Sequence, residues 1–455
     1  MGAKKIAILG GGSLYFRRAI PDLLASTELA GSEIVLYDLV KEKSDRMADL
    51  GRRLAEQADT GFRVRATGDL ADAVDGADFA LSSIGGSGAG ITQRVYSSIY
   101  HNADIQIAAK FGIQQIIADT CGPGAMMMGF RSIPPYIEMC REMEKRCPKV
   151  ILFNHSNPMA ILCRAMRKYT SINVIGVCHG VQHGIKGVAD ILELPAPELD
   201  CLWIGTNHYF WLTQVVHRGQ DMYPELKRRI AERKVPHDGQ LSARLSEIYG
   251  HHILYAHDNH LIEFYPFLAQ MKGGLDDLPE NLAEDARERF RIAEANMPDR
   301  GPPSPEVRAK FFEAYQKLLD ETEPSPKLSD PLMGEGLANV LGAIATGRRQ
   351  VCIANIANKG CIPNLSKTAE VEVEAVTDSC GVRGLQMGEA PPQLKCILEK
   401  RFVWHELVAD AAVKGDRDLA LQALMIDEMA IFPEPAEAML DELLEASKDL
   451  LPQFF

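Results

Sequence analysis

The chain has 455 residues, 46% hydrophobic and 24% charged, with 37 glycines and 25 prolines, an ordinary globular composition long enough for two domains. A formal net charge of −13 argues against nucleic acid as the main partner, and no apolar run is long enough to span a bilayer. Ten irregularly spaced cysteines and the lack of a signal peptide in MGAKKIAILGGG lead to the expectation of a reduced, cytoplasmic protein. A special cysteine is then expected to be a ligand or catalyst rather than half of a disulfide.

The first expected element is a short buried strand, Ile6 to Leu9, running into Gly10, Gly11, Gly12 and Ser13. A helix over RRAIPDLLAST follows, and a second strand, SEIVLYD, ends in Asp38. A tight glycine turn between strand and helix lets backbone N–H groups approach a pyrophosphate. An acid at the end of the next strand suits the two hydroxyls of an adenine ribose. G-G-G-S departs from the full G-x-G-x-x-G pattern, so the alternative is a structural turn that binds nothing. ADFALSSIGGSGAG, Ala77 to Gly90, reads as a strand ending in small residues, Ser83 among them, beneath the nicotinamide half.

Three more units repeat the pattern. IQQIIADTCGPGAMMMGFRSIP is expected to be strand, turn and a helix carrying Arg131. KVILFNHSNPMAILCRAM places Asn157 at the carboxyl end of a strand, and INVIGVCHGVQHGI does the same for Cys178 and His179. Ligands of open α/β sheets bind at those ends, so Asp119, Asn157, Cys178 and His179 fall on one rim.

DCLWIGTNHYFWL is strand-like but interrupted at Gly205 to His208. A histidine between aromatics is commonly a core residue; returned to the rim, His208 joins Cys178 as imidazole and thiolate for a transition metal, zinc by default. In YAHDNHLIEFYPF, the residues Asp258, His260 and Glu263 are either general bases or loop polar groups. Asn355 and Asn358 are readable as hydroxyl contacts or as parts of a turn between two strands. FVWHELVADAAVKGDRDLALQALMID is a helix pair turning at Gly415 and Asp416.

The motifs GGGS, DTCGPG with FRSIP, SNPMA, VCHGV, GTNHYFWL, DNHLIEFYPF and IANKGCIPNL occur in this order over nearly the whole chain. Together they resemble glycoside hydrolase family 4, the NAD+- and manganese-dependent glycosidases. The resemblance implies an α/β fold: a Rossmann-type dinucleotide-binding domain over residues 1–195 and an α+β catalytic and oligomerisation domain over 196–455. That arrangement is similar to the lactate and malate dehydrogenases. It also implies a homodimer or homotetramer, and Mn2+ or another divalent metal.

The implied chemistry removes hydride from C3 of the sugar onto NAD+ and a proton from C2. The C1 leaving group is then expelled, water adds, and the hydride returns. On this sequence the resemblance makes Cys178 and His208 metal ligands, Asn157 and Arg131 substrate contacts, and His179 a leaving-group acid or substrate contact. Asp119 and Asp258 become candidates for proton transfer, with Tyr255 or Tyr265 as alternative bases. Gly10, Gly11, Gly12, Ser13, Asp38 and Ser83 hold the cofactor. DTCGPGAM departs from the family at Asp119, where many members carry glutamate.

Cys178, His179, Gly180 and Val181 resemble the α-galacturonidase group, with α-glucosidase or α-galactosidase as the alternative. A uronate needs a cation, for which Arg131, His155, His183 and Lys186 are available. Readings from other classes are an NAD-dependent 2-hydroxy-acid dehydrogenase and a non-catalytic NAD-sensing module.

Overall fold

The computed structural model describes residues 2–85, 96–254, 257–271, 274–295 and 305–455. Ile6, Ala7, Ile8 and Leu9 of β1 (Lys5–Leu9) have no exposed surface. Apolar runs covered on both faces belong in a parallel sheet flanked by helices. β2 (Glu33–Tyr37) and β3 (Arg63–Thr67) lie to one side of β1. β4 (Phe79–Ser82), β5 (Ile151–Asn154) and β6 (Asn173–Gly176) lie to the other, all parallel. The resulting order, 3-2-1-4-5-6, is that of dinucleotide-binding α/β folds, and it reverses between β1 and β4.

β7 (Leu199–Thr206) and β8 (Tyr209–His217) form a hairpin whose turn is Asn207 and His208. β9 (Gln220–Asp221) and β10 (His252–Ile253) pair with β8 to complete a second sheet. β11 (Val351–Ala357), β12 (Glu370–Asp378) and β13 (Gly381–Gly384) then extend the first sheet, antiparallel, beyond β6. Among the described residues that sheet has nine strands, so the parts expected on either side of residue 195 share it. The hairpin docks on this extension: Trp203 Nε1 donates to Glu372 O at 2.8 Å and Thr206 Oγ1 to Glu370 O at 2.8 Å. Docking carries the hairpin turn to the end of β6.

One close approach explains a glycine in the stretch after Cys178. The helix Gly180–Leu192 lies so near Leu254 that a Cβ on Gly184 would sit 1.8 Å from the Leu254 carbonyl oxygen. The terminal helix pair has the expected form, Pro392–Lys414 and Arg417–Ile426, with Gly415 left-handed at φ 66° between them. The expected strand at Ile113–Ala118 is absent. That segment is irregular, because its N–H groups bond a side chain rather than a neighbouring strand. No described helix is long and apolar enough to cross a membrane.

Candidate active site at the carboxyl ends of the sheet

Past β1 the chain turns at Gly10, whose φ is 76° and whose Cβ, if present, would lie 2.3 Å from Ser83 O. Only glycine fits that conformation and that approach. Gly11 N–H donates to Tyr37 O, and Gly12 N–H to Asp38 Oδ2 at 2.9 Å. The other Asp38 oxygen accepts Val40 N–H at 2.8 Å. Ser13 Oγ and Ser83 Oγ are 2.9 Å apart. Gly10, Gly11, Gly12, Ser13, Asp38 and Ser83 therefore meet at the point where strand order reverses. A bare backbone ahead of the helix Phe16–Leu24, with an acid beside it, fits a dinucleotide.

Cys178 follows β6, and its Sγ lies 3.3 Å from His208 Nε2. His208 sits in the hairpin turn at φ 61°. Its Nδ1 is 3.0 Å from Thr120 Oγ1, and that hydroxyl donates its one proton to Asp119 Oδ1 at 2.7 Å. Thr120 must then accept from His208, which puts the ring proton on Nδ1 and leaves the Nε2 lone pair toward Cys178. Burial, with His260 alongside, pushes His208 down to about 3, so the ring is neutral. Burial and the Glu372 carboxyl push the Cys178 thiol up, so it carries its proton until a cation displaces it. Ligand atoms of Asp119, His208 and His260 lie within 4.8 Å of one another. Thiolate, imidazole and carboxylate together fit a divalent transition metal.

Asp119 ends the irregular segment. Burial opposes its charge, but His260, His208 and hydrogen bonds from Thr120 and Asn157 hold its carboxyl low. Asn157 Nδ2 donates to Asp119 Oδ2 at 2.9 Å. The segment itself hangs on Glu263, whose Oε1 accepts Ile116 N–H at 2.6 Å, Ile117 N–H at 2.8 Å and Ala118 N–H at 3.1 Å. Burial nonetheless pushes Glu263 up to about 8.

On the cofactor side, His179 Nδ1 is 3.2 Å from Glu335 Oε1, and Tyr15 OH donates to Glu335 Oε2. The Glu335 bond raises His179 above the ordinary imidazole value. His155 lies against Tyr15, with ring centroids 4.4 Å apart and neither buried ring nitrogen hydrogen-bonded to a described residue. From the helix Glu280–Ala295, half-buried Arg289 lies in the field of Glu263 and Asp119. It has no hydrogen bond or ion pair with a described residue.

The described geometry thus joins a dinucleotide cradle to a cysteine, histidine and carboxylate cluster. Two family patterns match the chain: Family 4 glycosyl hydrolase over residues 5–194, and Family 4 glycosyl hydrolase C-terminal domain over residues 203–430. The chain belongs to glycoside hydrolase family 4. This family 4 protein is similar to the α-galactosidase of Bacillus subtilis, with 27% identity covering 99% of this chain and 100% of that one. It is similar to the α-galacturonidase of Lachnoclostridium phytofermentans, with 26% identity covering 99% and 97%. A solved 6-phospho-α-glucosidase from gut microorganisms, in complex with NAD and Mn2+, shares the fold: TM-score 0.77, 21% identity, 100% of each chain covered.

Two residues expected to serve substrate chemistry are engaged by other parts of the family 4 fold. Arg131 is buried and paired with Asp104, donating from Nη1 at 3.1 Å and Nη2 at 2.5 Å, with Ser447 Oγ a further acceptor at 2.9 Å. A guanidinium so engaged is an interior tie, not a free substrate contact. Asp258 accepts Leu241 N–H at 2.7 Å, Ser242 N–H at 2.9 Å and Ser242 Oγ at 2.7 Å. Its carboxylate thus caps the first turn of the helix Gln240–Tyr249. Asn358 likewise holds its own turn, donating to the carbonyls of Ile362, Leu365 and Ser366. Tyr265 is buried among aromatics, stacked at 5.3 Å on Phe267. Tyr255 and the stretch 86–90 lie outside the described residues.

Thr120, Glu335 and Arg289 were not singled out in the sequence. Thr120 was legible only as the residue after Asp119. Glu335 and Arg289 have no local motif, since each reaches the rim from a segment far along the chain.

Proposed function

We propose that the protein is a glycosidase for α-galacturonides that uses NAD+ and a divalent metal, preferably Mn2+, without net oxidation. The carrying observation is the Cys178–His208 contact at 3.3 Å, with Asp119 beside it, on the same sheet rim as the Gly10–Ser13 cradle. When bound, the nicotinamide stores and returns the hydride of the sugar's C3, and the metal draws electron density from the C2 and C3 oxygens.

The chain's own groups do the rest. Gly12 N–H and Asp38 orient the dinucleotide, and Cys178 and His208 hold the cation. Asn157 fixes Asp119, which stays ionised within reach of a sugar proton and is assigned the C2 proton transfer. His179, whose hold on its proton Glu335 strengthens, donates to the departing oxygen at C1; a placed acid or base of this kind contributes roughly 10²–10⁴-fold. Arg289 supplies the cation that a uronate carboxylate needs. Cys178, His179, Gly180 and Val181, together with α-galacturonidases among the relatives, support the uronide reading.

A second reading, a neutral α-galactoside, is favoured by the Glu335 carboxylate beside His179, an acceptor for a sugar hydroxyl that would repel a nearby anion.

The test is release of the aryl group from an aryl α-galacturonide and an aryl α-galactoside, with NAD+, Mn2+ and a thiol reductant, omitting each in turn. Release from the galacturonide that needs both NAD+ and metal, without NADH build-up, is expected. Steady NADH build-up without release points instead to a dehydrogenase. Release from the galactoside alone selects the second reading.

A further inference from the structure

Beside the glycine turn stands a lysine near Asp38 whose ammonium makes no hydrogen bond with a described residue. Lys43, in the first turns of the helix Lys41–Ala58, is 6% exposed. Its ammonium has no hydrogen bond or ion pair with a described residue, and its nearest recorded contact is the Tyr315 ring, 5.9 Å from Nζ to centroid. Burial of the side chain pulls its pKa down, and the Asp38 charge opposes that shift.

The lysine's stem packs on the turn itself. A Cβ placed on Gly12 would lie 2.3 Å from Lys43 Cβ, 3.1 Å from Lys43 Cε and 3.0 Å from Asp38 Oδ2. The carboxylate and the lysine stem thus flank one glycine. Tyr315 OH donates to Gly12 O at 2.9 Å and closes the far side. Each Asp38 oxygen already accepts one backbone N–H and keeps a lone pair free. A ribose hydroxyl both donates and accepts. Asp38 supplies only acceptors, and Lys43 supplies only donors.

We infer that Lys43 donates to the 2′-oxygen of the adenosine ribose and offsets the Asp38 charge there, so that the cradle takes a 2′-phosphorylated dinucleotide as well as the unphosphorylated one. A lone acid at this position repels a 2′-phosphate; an acid with an uncommitted ammonium beside it does not. The inference rests on the cofactor reading above.

The experiment is calorimetric titration of the full chain, without sugar, with NAD+ and separately with NADP+. The wild type is expected to bind NADP+ with a Kd within about tenfold of that for NAD+, a gap of under about 1.4 kcal/mol. Lys43→Met keeps the packed stem and removes the charge, and is expected to weaken NADP+ by at least about tenfold more than NAD+, the scale of a lost charge-assisted bond. Lys43→Arg is expected to restore NADP+ binding, and Asp38→Asn to shift the preference toward NADP+. Melting temperatures equal to wild type confirm that the variants are folded. A wild-type gap wider than tenfold overturns the inference, as does a ratio that Lys43→Met in folded form leaves unchanged. Binding of neither nucleotide overturns it together with the cofactor reading.

Discussion

Both carboxylate oxygens of Glu263 accept the N–H of Ala118, at 3.1 and 3.0 Å, across 145 residues of sequence. The next residue is Asp119, so the position of this carboxylate at the site is set from another part of the chain.

Replacing Glu263 by Gln puts an amide where three N–H groups need an acceptor, and is expected to cost about 1–3 kcal/mol in urea unfolding. The accompanying shift of Asp119 is expected to lower kcat/KM by roughly 10²-fold, as for a small misplacement of a reacting group. The pH dependence follows from the carboxyl's rise from 4.5 to about 8 in the folded state. The folded chain then holds a proton that the unfolded chain has released, so stability falls as pH rises through that interval. The buried histidines, released from their protons near pH 6.5 only in the unfolded chain, raise stability over the same interval, so the Glu263 contribution is read as the difference between the two proteins. Between roughly pH 6.5 and pH 8 wild-type stability should fall by about 1–2 kcal/mol relative to the Gln variant.

Thr120→Val removes the acceptor for His208 Nδ1–H while keeping the side chain's volume. Affinity for Mn2+, read by direct titration, is expected to fall about 10–100-fold with no change in secondary structure, because the ring loses its orientation and tautomer. An unchanged affinity would mean that Thr120 does not orient the ring.

Asp258→Ala should separate a cap from a catalyst. Loss of the cap is expected to cost about 1 kcal/mol in stability, with kcat close to wild type in the folded variant. A collapse of kcat at wild-type stability would return Asp258 to the chemistry.

Glu335→Gln leaves His179 without the carboxylate that holds its proton. The loss in kcat is expected to be large, roughly 10²-fold, for poor leaving groups and slight for activated aryl groups. Equal losses across a series of aryl substrates would argue against proton donation by His179.

The parts legible in the sequence were those that one short segment states by itself. Gly10 to Ser13 with Asp38, and Asn157 at a strand end, carry local signatures, whereas the pairing of Cys178 with His208 rests on the family resemblance. The expectation failed where the partner lies elsewhere. Ile113–Ala118 has the apolar, β-branched look of a strand, yet Glu263 takes the N–H groups that a ladder would use. Asp258 sits among histidines in sequence but meets the N–H groups of Leu241 and Ser242 in space. Arg131 lies within the helix Gly122–Arg146 and turns inward to Asp104. Glu335 belongs to a stretch without regular structure, where periodicity offers no guide.

The sheet extension has a consequence for how the chain matures on the ribosome. β6, whose end carries Cys178, is closed on its outer edge by β11, with Asn355 opposite Gly176. Glu372, which holds the Asn207 side chain at 3.1 Å, arrives later still on β12. A nascent chain that already contains its thiol therefore presents an open strand edge beside it until synthesis has passed β11. Truncated chains ending before Val351 are thus the forms most exposed to edge-to-edge aggregation and to oxidation at Cys178.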